Sequence, residues 1–404
     1  MSNKFLMALC GASIALTGCG GSSSSSDGGD AGDKGDGIPP VVKTGVFIDS
    51  KVANLSYKTE TQTGVTNAQG EFNYLAGERV TFSIGELEFP VVTAAGVITP
   101  MTLAGDASIY NQKATNIAIL LQSLDDNGNA ADGITIPAEA ATSVFNALDL
   151  SMPTEQFLNN AAVINMVANS GSITTSLVSA ADAQNHLQDS IDSLTPYVGS
   201  WSNKEGEFES HLVLFANNTF LYAENDDEAP NGLELGSYSY DTATGDITLT
   251  ITFDNNGPGD DSGVGDIGTP VTVDSVLSNG NTTLKIVNGE IEFTADEFAA
   301  DSIEGAWSIT HLNESQHLIL FADNTFIYAE NDLTEPNGLE LGTYVYNEAG
   351  NTIAYTITYD DNGPGQDSGI GDMGAAVTTD IALSNAANTL TITGDAPMEF
   401  SRSL

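Results

Sequence analysis

In the C-terminal half of the chain, apolar residues fall at every second position in short runs separated by Gly, Asn, Asp and Pro. Leu212/Leu214, Phe220/Tyr222, Tyr238/Tyr240 and Leu249/Ile251/Phe253 are such runs. A period of two predicts strands with one face packed and one solvated. Strands are expected around Trp201 and at 209–215, 218–224, 233–240, 246–253, 269–277, 282–287 and 290–294. The pattern then returns 106 positions later. His317-Leu318-Ile319-Leu320-Phe321 repeats His211-Leu212-Val213-Leu214-Phe215, while Trp307, Asp360 and Leu390 repeat Trp201, Asp254 and Leu284. Such self-similarity marks a duplicated structural unit. Two antiparallel β repeats are expected, one over 197–298 and one over 303–404. Each must dispose of its sheet edges, as a closed barrel or as a sandwich.

The N-terminal half carries two other patterns. Alternating runs at 46–48, 55–57, 70–74, 79–84 and 88–92, separated by turns, predict a β-sandwich over 41–102. From 103 to 196 the period lengthens to that of a helix. Ile117, Leu120, Leu121 and Leu124 form one stripe; Ala141, Val144, Phe145 and Leu148 a second; Phe157, Ala161, Ile164 and Val167 a third; Leu187, Ile191 and Leu194 a fourth. Four such helices make a small bundle or a cap on the sandwich. His186, alone in the last helix, is expected at the surface or the bundle edge. The expected fold class is therefore mainly β and multidomain: a β-sandwich, a small helical segment, and two tandem antiparallel β-barrel-like or sandwich repeats.

Three segments resemble known families. Lys4, the apolar stretch from Phe5 to Leu16 and the ending Leu16-Thr17-Gly18-Cys19 resemble the signal peptide and lipobox of bacterial lipoproteins. The apolar stretch is shorter than the ~20 residues a spanning helix needs. The resemblance implies removal of residues 1–18, acylation of Cys19 and anchoring in a membrane. Gly20, where an inner-membrane retention signal would carry Asp, implies the outer membrane. Residues 19–40 are Gly, Ser and Asp with almost nothing apolar, a flexible tether. Gly45-Val46-Phe47-Ile48-Asp49 with Thr66-Asn67-Ala68-Gln69-Gly70-Glu71-Phe72 resembles the prealbumin-like or carboxypeptidase-regulatory-like β-sandwich, a module that implies a stalk or spacer. Gly199-Ser200-Trp201 and Gly305-Ala306-Trp307 resemble the start of lipocalin-type barrels, where the tryptophan plugs the closed end. The whole arrangement is similar to adhesin-type lipoproteins of Gram-negative bacteria.

Charge narrows the partners. Ten Lys plus Arg stand against 55 Asp plus Glu, a formal net charge of −45. Nucleic acid and anionic lipid are excluded as electrostatic partners, while cations and salty water are favoured. Only Cys10 and Cys19 exist, so a chain processed at the lipobox has no disulfide and no thiol chemistry.

The candidate chemistry lies in one duplicated loop. Asp254, Asn256, Asp261 and Asp266, with Asp360, Asn362, Asp367 and Asp372 in the second copy, space oxygen-bearing side chains among glycines that let the backbone fold tightly. A hard cation such as Ca²⁺, which takes 6–8 oxygen ligands, suits such a set. The competing reading is a long hairpin loop built from ordinary turn residues. Glu224 and Glu330 are expected to share a rim with these loops. Asp125 to Asn129 with Asp132 resembles a calcium loop only loosely and reads better as a turn. Tyr222, Tyr240, Tyr328 and Tyr346 are either core filling or the lining of a ligand site. Asp261-Ser262-Gly263 resembles a protease nucleophile segment, but no histidine-bearing motif accompanies it. No phosphate loop, nucleophile elbow or His-Glu-x-x-His motif is present. The expected function is non-enzymatic binding or adhesion at the envelope, toward a glycan or a surface protein, with Ca²⁺ as the one cofactor. The alternatives are a lipocalin-like carrier of a small apolar ligand and, behind it, an enzyme acting on polysaccharide.

Overall fold

The computed structural model describes residues 42–142, 148–205, 208–225, 232–241, 244–255, 263–286, 291–299, 302–311, 314–331, 338–361, 369–374, 376–384, 387–393 and 397–404. The signal, Cys19 and the tether lie outside these residues. The chain is mainly β and multidomain.

The first unit contains strands β1 (Val42–Phe47), β2 (Val52–Ala53), β3 (Ser56–Lys58), β4 (Thr63–Val65), β5 (Glu71–Leu75), β6 (Arg79–Ile84), β7 (Leu87–Glu88), β8 (Val92–Thr93), β9 (Val97–Ile98) and β10 (Ile134–Thr135). One sheet has the order β5-β1-β9. A second has the order β4-β3-β6-β7, with β8 also on β6, and β10 pairs with β2. The main sheets meet through Phe82, whose ring lies edge-on to Phe47 at 4.9 Å and to Phe72 at 5.1 Å. The Thr66 motif is a folding device. Thr66 Oγ1 donates to Val52 O and accepts from Leu55 N, while Asn67 Oδ1 accepts from Gln69 N and Glu71 N. Gly70 then turns the chain at φ +75°, and Phe72 enters the core.

Six helices follow among the described residues: α1 (Pro100–Ala104), α2 (Gln112–Ser123), α3 (Ala138–Thr142), α4 (Thr154–Leu158), α5 (Ala161–Ala168) and α6 (Ala180–Leu194). Residues 143–147 of the second expected helix lie outside the described set. Every residue of α2 from Ala114 to Ser123 is buried, so its stripe is part of a helix covered on all sides. The expected helix over 153–168 is two helices, because Asn160 caps α5 with its side chain on Ala162 N and so begins a new one. The break rotates the buried face onto Val163, Met166 and Val167, and leaves Ile164 42% exposed. Strands and helices share one hydrophobic core from Phe47 to Ile191.

Both repeats are closed eight-stranded antiparallel barrels in which every strand pairs with its sequence neighbours. The first comprises β11 (Gly199–Glu205), β12 (Phe208–Leu214), β13 (Thr219–Asn225), β14 (Gly232–Tyr240), β15 (Asp246–Asp254), β16 (Val271–Ser278), β17 (Thr283–Ile286) and β18 (Ile291–Ala295). The second comprises β19 (Gly305–His311), β20 (Glu314–Leu320), β21 (Thr325–Asn331), β22 (Gly338–Asn347), β23 (Thr352–Asp360), β24 (Ala376–Ser384), β25 (Thr389–Thr393) and β26 (Met398–Arg402). Closure is made by Trp201 opposite Ala295 and by Trp307 opposite Arg402. Of the two expected forms, the barrel is the one adopted. Gly236 and Gly342 sit at a register shift in β14 and β22; a Cβ there would lie 2.1 Å from Thr250 O or Thr356 O, so only glycine fits.

The barrels are packed side by side. Val213, Phe215, Leu221, Ala223, Leu233 and Leu235 point out of the first barrel. They form one buried cluster with Ile319, Phe321, Ile327, Ala329, Leu339 and Leu341 of the second. The first unit docks on both. Thr99 Oγ1 donates to Ala216 O and Asn218 Nδ2 to Val97 O, while Ser108 Oγ donates to Arg402 O.

Candidate functional site at the loop ends of the barrels

In each barrel three adjacent strands bring acids to the end that carries the long Asp/Gly loop. Glu224 is the penultimate residue of β13, Glu234 lies in β14 and Asp254 ends β15. The pairing sets Tyr222 opposite Glu234, and Glu234 opposite Asp254. The second barrel repeats this with Glu330, Glu340, Asp360 and Tyr328. Leu233 and Leu235 face the other barrel, so the alternation of β14 turns Glu234 inward, where it is fully buried.

The carboxyl of Glu234 is held by the loop's far end. Val264 N donates to both oxygens at 2.9 and 2.8 Å, and Gly265 N is 3.4 Å away. Glu340 receives Ile370 N at 2.9 and 3.0 Å. Burial pushes both glutamates up to about 8; the backbone donors hold them down, and the acids on the neighbouring strands push up again. Each therefore keeps its proton at pH 7. Tyr222 donates to Glu224 Oε2 at 3.2 Å and Tyr328 to Glu330 Oε2 at 3.0 Å. The near end of each loop is fixed as well. Asn255 Oδ1 accepts from Leu233 N and Asp361 Oδ1 from Leu339 N, and Asn255 Nδ2 donates across to Asp361. The two loops thus spring from adjacent points.

Asp254 and Asp360 stand at this end, half-buried, while Asp266 and Asp372 are exposed beyond the bend. Asn256, Asp261, Asn362 and Asp367 lie outside the described residues. Among the described residues no group of three or more His, Cys, Asp or Glu side chains is arranged to hold a metal ion. Tyr222 and Tyr328 are buried inside the barrels. Tyr240 and Tyr346 are half-buried, and Tyr240 packs on Tyr197 with ring centres 4.1 Å apart. Asp125 is buried and accepts from Asn129 N and Thr135 N at 2.8 and 2.9 Å, which closes the turn after α2. Alternation did not single out Glu234, Glu340, Asn255 or Asp361. The available signal was an acid between two leucines, Leu233-Glu234-Leu235, beside a strand, β13, whose run Phe220-Leu221-Tyr222-Ala223 has no polar alternate.

Serine–histidine contacts lie elsewhere, at His186, at His211 and, in the second barrel, between Ser308 and His317. His186 Nε2 is 3.0 Å from Ser50 Oγ and 3.9 Å from Asp49 Oδ1. Serine and acid thus face the same ring nitrogen, which gives no relay. Burial pushes Asp49 up to about 8, against a hydrogen bond from Gln122, and pushes His186 down. Ser202 Oγ is 2.8 Å from His211 Nδ1 but donates to Asp296 Oδ1 at 2.7 Å, so its proton is already committed to the acid.

No protein-family model, curated protein or solved structure matches the chain. The fold defines it instead: a multidomain, mainly β protein ending in two tandem closed eight-stranded barrels.

Proposed function

We propose that this is a lipid-anchored protein of the bacterial envelope, held at the outer membrane through Cys19, whose barrels recognise a glycan or a surface protein through their loop ends. Calcium at the Asp/Gly loops would stabilise the recognition surface, with Asp254, Asp266, Asp360 and Asp372 joined by Asn256, Asp261, Asn362 and Asp367. The observation that carries this reading is a difference in what the two copies keep. Tyr-x-Glu, the buried glutamate, the terminal Asp and the Gly-rich loop are alike in both, whereas the closed ends differ in their packing. A pair of linked modules gains avidity through effective concentration.

Three measurements test it. Mass spectrometry of the mature N-terminus should find acylated Cys19; an unmodified terminus removes the anchor. Deleting 197–404 should abolish surface attachment while export persists, and unchanged attachment rejects the barrels as recognition modules. Calcium at fixed ionic strength should raise Tm, and Asp261→Ala with Asp367→Ala should remove the rise. Equal shifts with Na⁺ or Mg²⁺ would assign the effect to screening of the −45 charge.

The closed eight-stranded topology supports a second reading, a carrier of a small apolar ligand. The bulky inward side chains, including Trp201, Phe220, Tyr222 and Phe293, weigh against it. Saturable binding of a fluorescent fatty acid by the intact chain would favour the carrier.

A further inference from the structure

The contact between the barrels has the reciprocity of an isologous dimer, in which residue i meets j and the equivalent of j meets the equivalent of i. His211 stacks on Phe321 with ring centres 4.6 Å apart, and Phe215 stacks on His317 at 4.8 Å. These are the same two positions with the copies exchanged. Asn255 bonds to Asp361, its own counterpart, which places that pair on the pseudo-two-fold axis. The meeting faces are nearly one sequence. Phe215/Phe321, Ala223/Ala329, Leu233/Leu339 and Leu235/Leu341 are identical, while Val213/Ile319 and Leu221/Ile327 differ only in aliphatic shape.

We infer that the outer face of β12–β14 and its counterpart on β20–β22 is a self-recognition surface, through which a repeat freed from its neighbour binds a second copy of itself. Each barrel is complete without the other: it closes through its own strands, borrows none, and has its own interior core. Cutting the connection between 299 and 302 therefore removes effective concentration and leaves the contact surface intact. The axis residues set a preference among pairings. Two copies of the first repeat bring Asn255 amides together, which can pair donor to acceptor. Two copies of the second bring Asp361 carboxylates together, which repel. Burial already pushes Asp361 up in the mixed pair. The mixed pairing avoids this clash, and the covalent tandem holds it in one chain.

The test is a protease site placed at 300–301 in the full chain. After cleavage the halves should co-elute in gel filtration. Once separated, the piece ending at Ala299 should dimerise in sedimentation equilibrium. The 302–404 piece should dimerise at least about tenfold more weakly, and Asp361→Asn should recover most of that loss. Phe215→Asp should make the first piece monomeric with its circular dichroism and melting cooperativity unchanged. A folded piece that stays monomeric at about 100 µM would overturn the inference. So would a dimer indifferent to Phe215→Asp, because the contact would then lie elsewhere. Loss of cooperative melting after separation would overturn it too, because the barrels would then not be complete units.

Discussion

The two barrels share a backbone plan and solve their closed ends differently. In both, the tryptophan indole donates to a carbonyl four residues earlier, Trp201 to Tyr197 O at 2.9 Å and Trp307 to Ile303 O at 2.8 Å. The first barrel then inserts the Tyr197 ring against Tyr240 and Tyr238. The second has the smaller Ile303 and places Tyr355 where the first has Leu249, so that volume is restored from another strand. Arg402 covers Trp307, its guanidinium carbon 4.2 Å from the ring centre, and donates to the carbonyls of Ser302, Glu304 and Ala387. At the corresponding edge of the first barrel stands Ala295, followed by Asp296 accepting from Ser200 and Ser202. An apolar end can be filled in several ways because dispersion contacts are interchangeable. The loop end cannot, since each hydrogen bond there needs one atom type in one place.

Removing the shared tryptophans strikes both barrels hardest. Trp201→Ala and Trp307→Ala should each cost about 3–5 kcal/mol in urea denaturation. A loss below about 1 kcal/mol in either would mean that its closed end is not packed on the indole.

The buried acids and the buried histidine impose opposite pH slopes. Glu234 and Glu340, raised to about 8, bind a proton in the folded state over a range where the unfolded chain does not. Their contribution is full below the unfolded value of 4.5 and is lost as pH rises through 8, by up to about 1.4 kcal/mol per pH unit per group. Glu234→Gln with Glu340→Gln should flatten the fall in stability between pH 5 and pH 8. An unchanged slope would place those carboxyls in water.

His317, fully buried and pushed down to about 4, stays neutral while the unfolded histidine at 6.5 takes a proton. Stability from this group is lost as pH falls from 6.5 toward 4, by about 3 kcal/mol in all. The difference between wild type and His317→Phe at pH 7 and pH 4.5 isolates it. His211 has Glu209 beside it, 3.3 Å from Nε2, where the second barrel has Ser315.

Arg402→Ala should cost about 1–2 kcal/mol through the cation–π contact and the carbonyls it leaves. Smallest is Tyr355→Phe. Among the described residues the buried Tyr355 hydroxyl has no hydrogen-bond partner, so removing it should be neutral or stabilising by up to about 1 kcal/mol. A destabilised variant would reveal a partner for the hydroxyl.

Much of this was legible before the fold was known. Leu212/Leu214 and Phe220/Tyr222 marked inward positions, and the spacing of eight strands fitted closure. The residues between them, Val213, Leu221 and Ala223, are apolar too, and that loss of alternation was the sign of a second covered face. A single covered face already accounts for the inward set, so alternation alone does not require the second. The break at Asn159-Asn160 was hidden in the same way, since the helical period continues through it and only a cap distinguishes one helix from two.

The amino-acid sequence by itself determined the local units: period-two strands, turns rich in Gly and Asn, helical stripes, and a duplication that forces two copies of whatever the first copy makes. These depend on neighbours along the chain. Tertiary structure decided that the edges close, that one repeat rests on the other, and that Glu234 and Glu340 are buried with raised affinity for a proton. Those outcomes arise from residues far apart in the chain, because desolvation and like charge act through space.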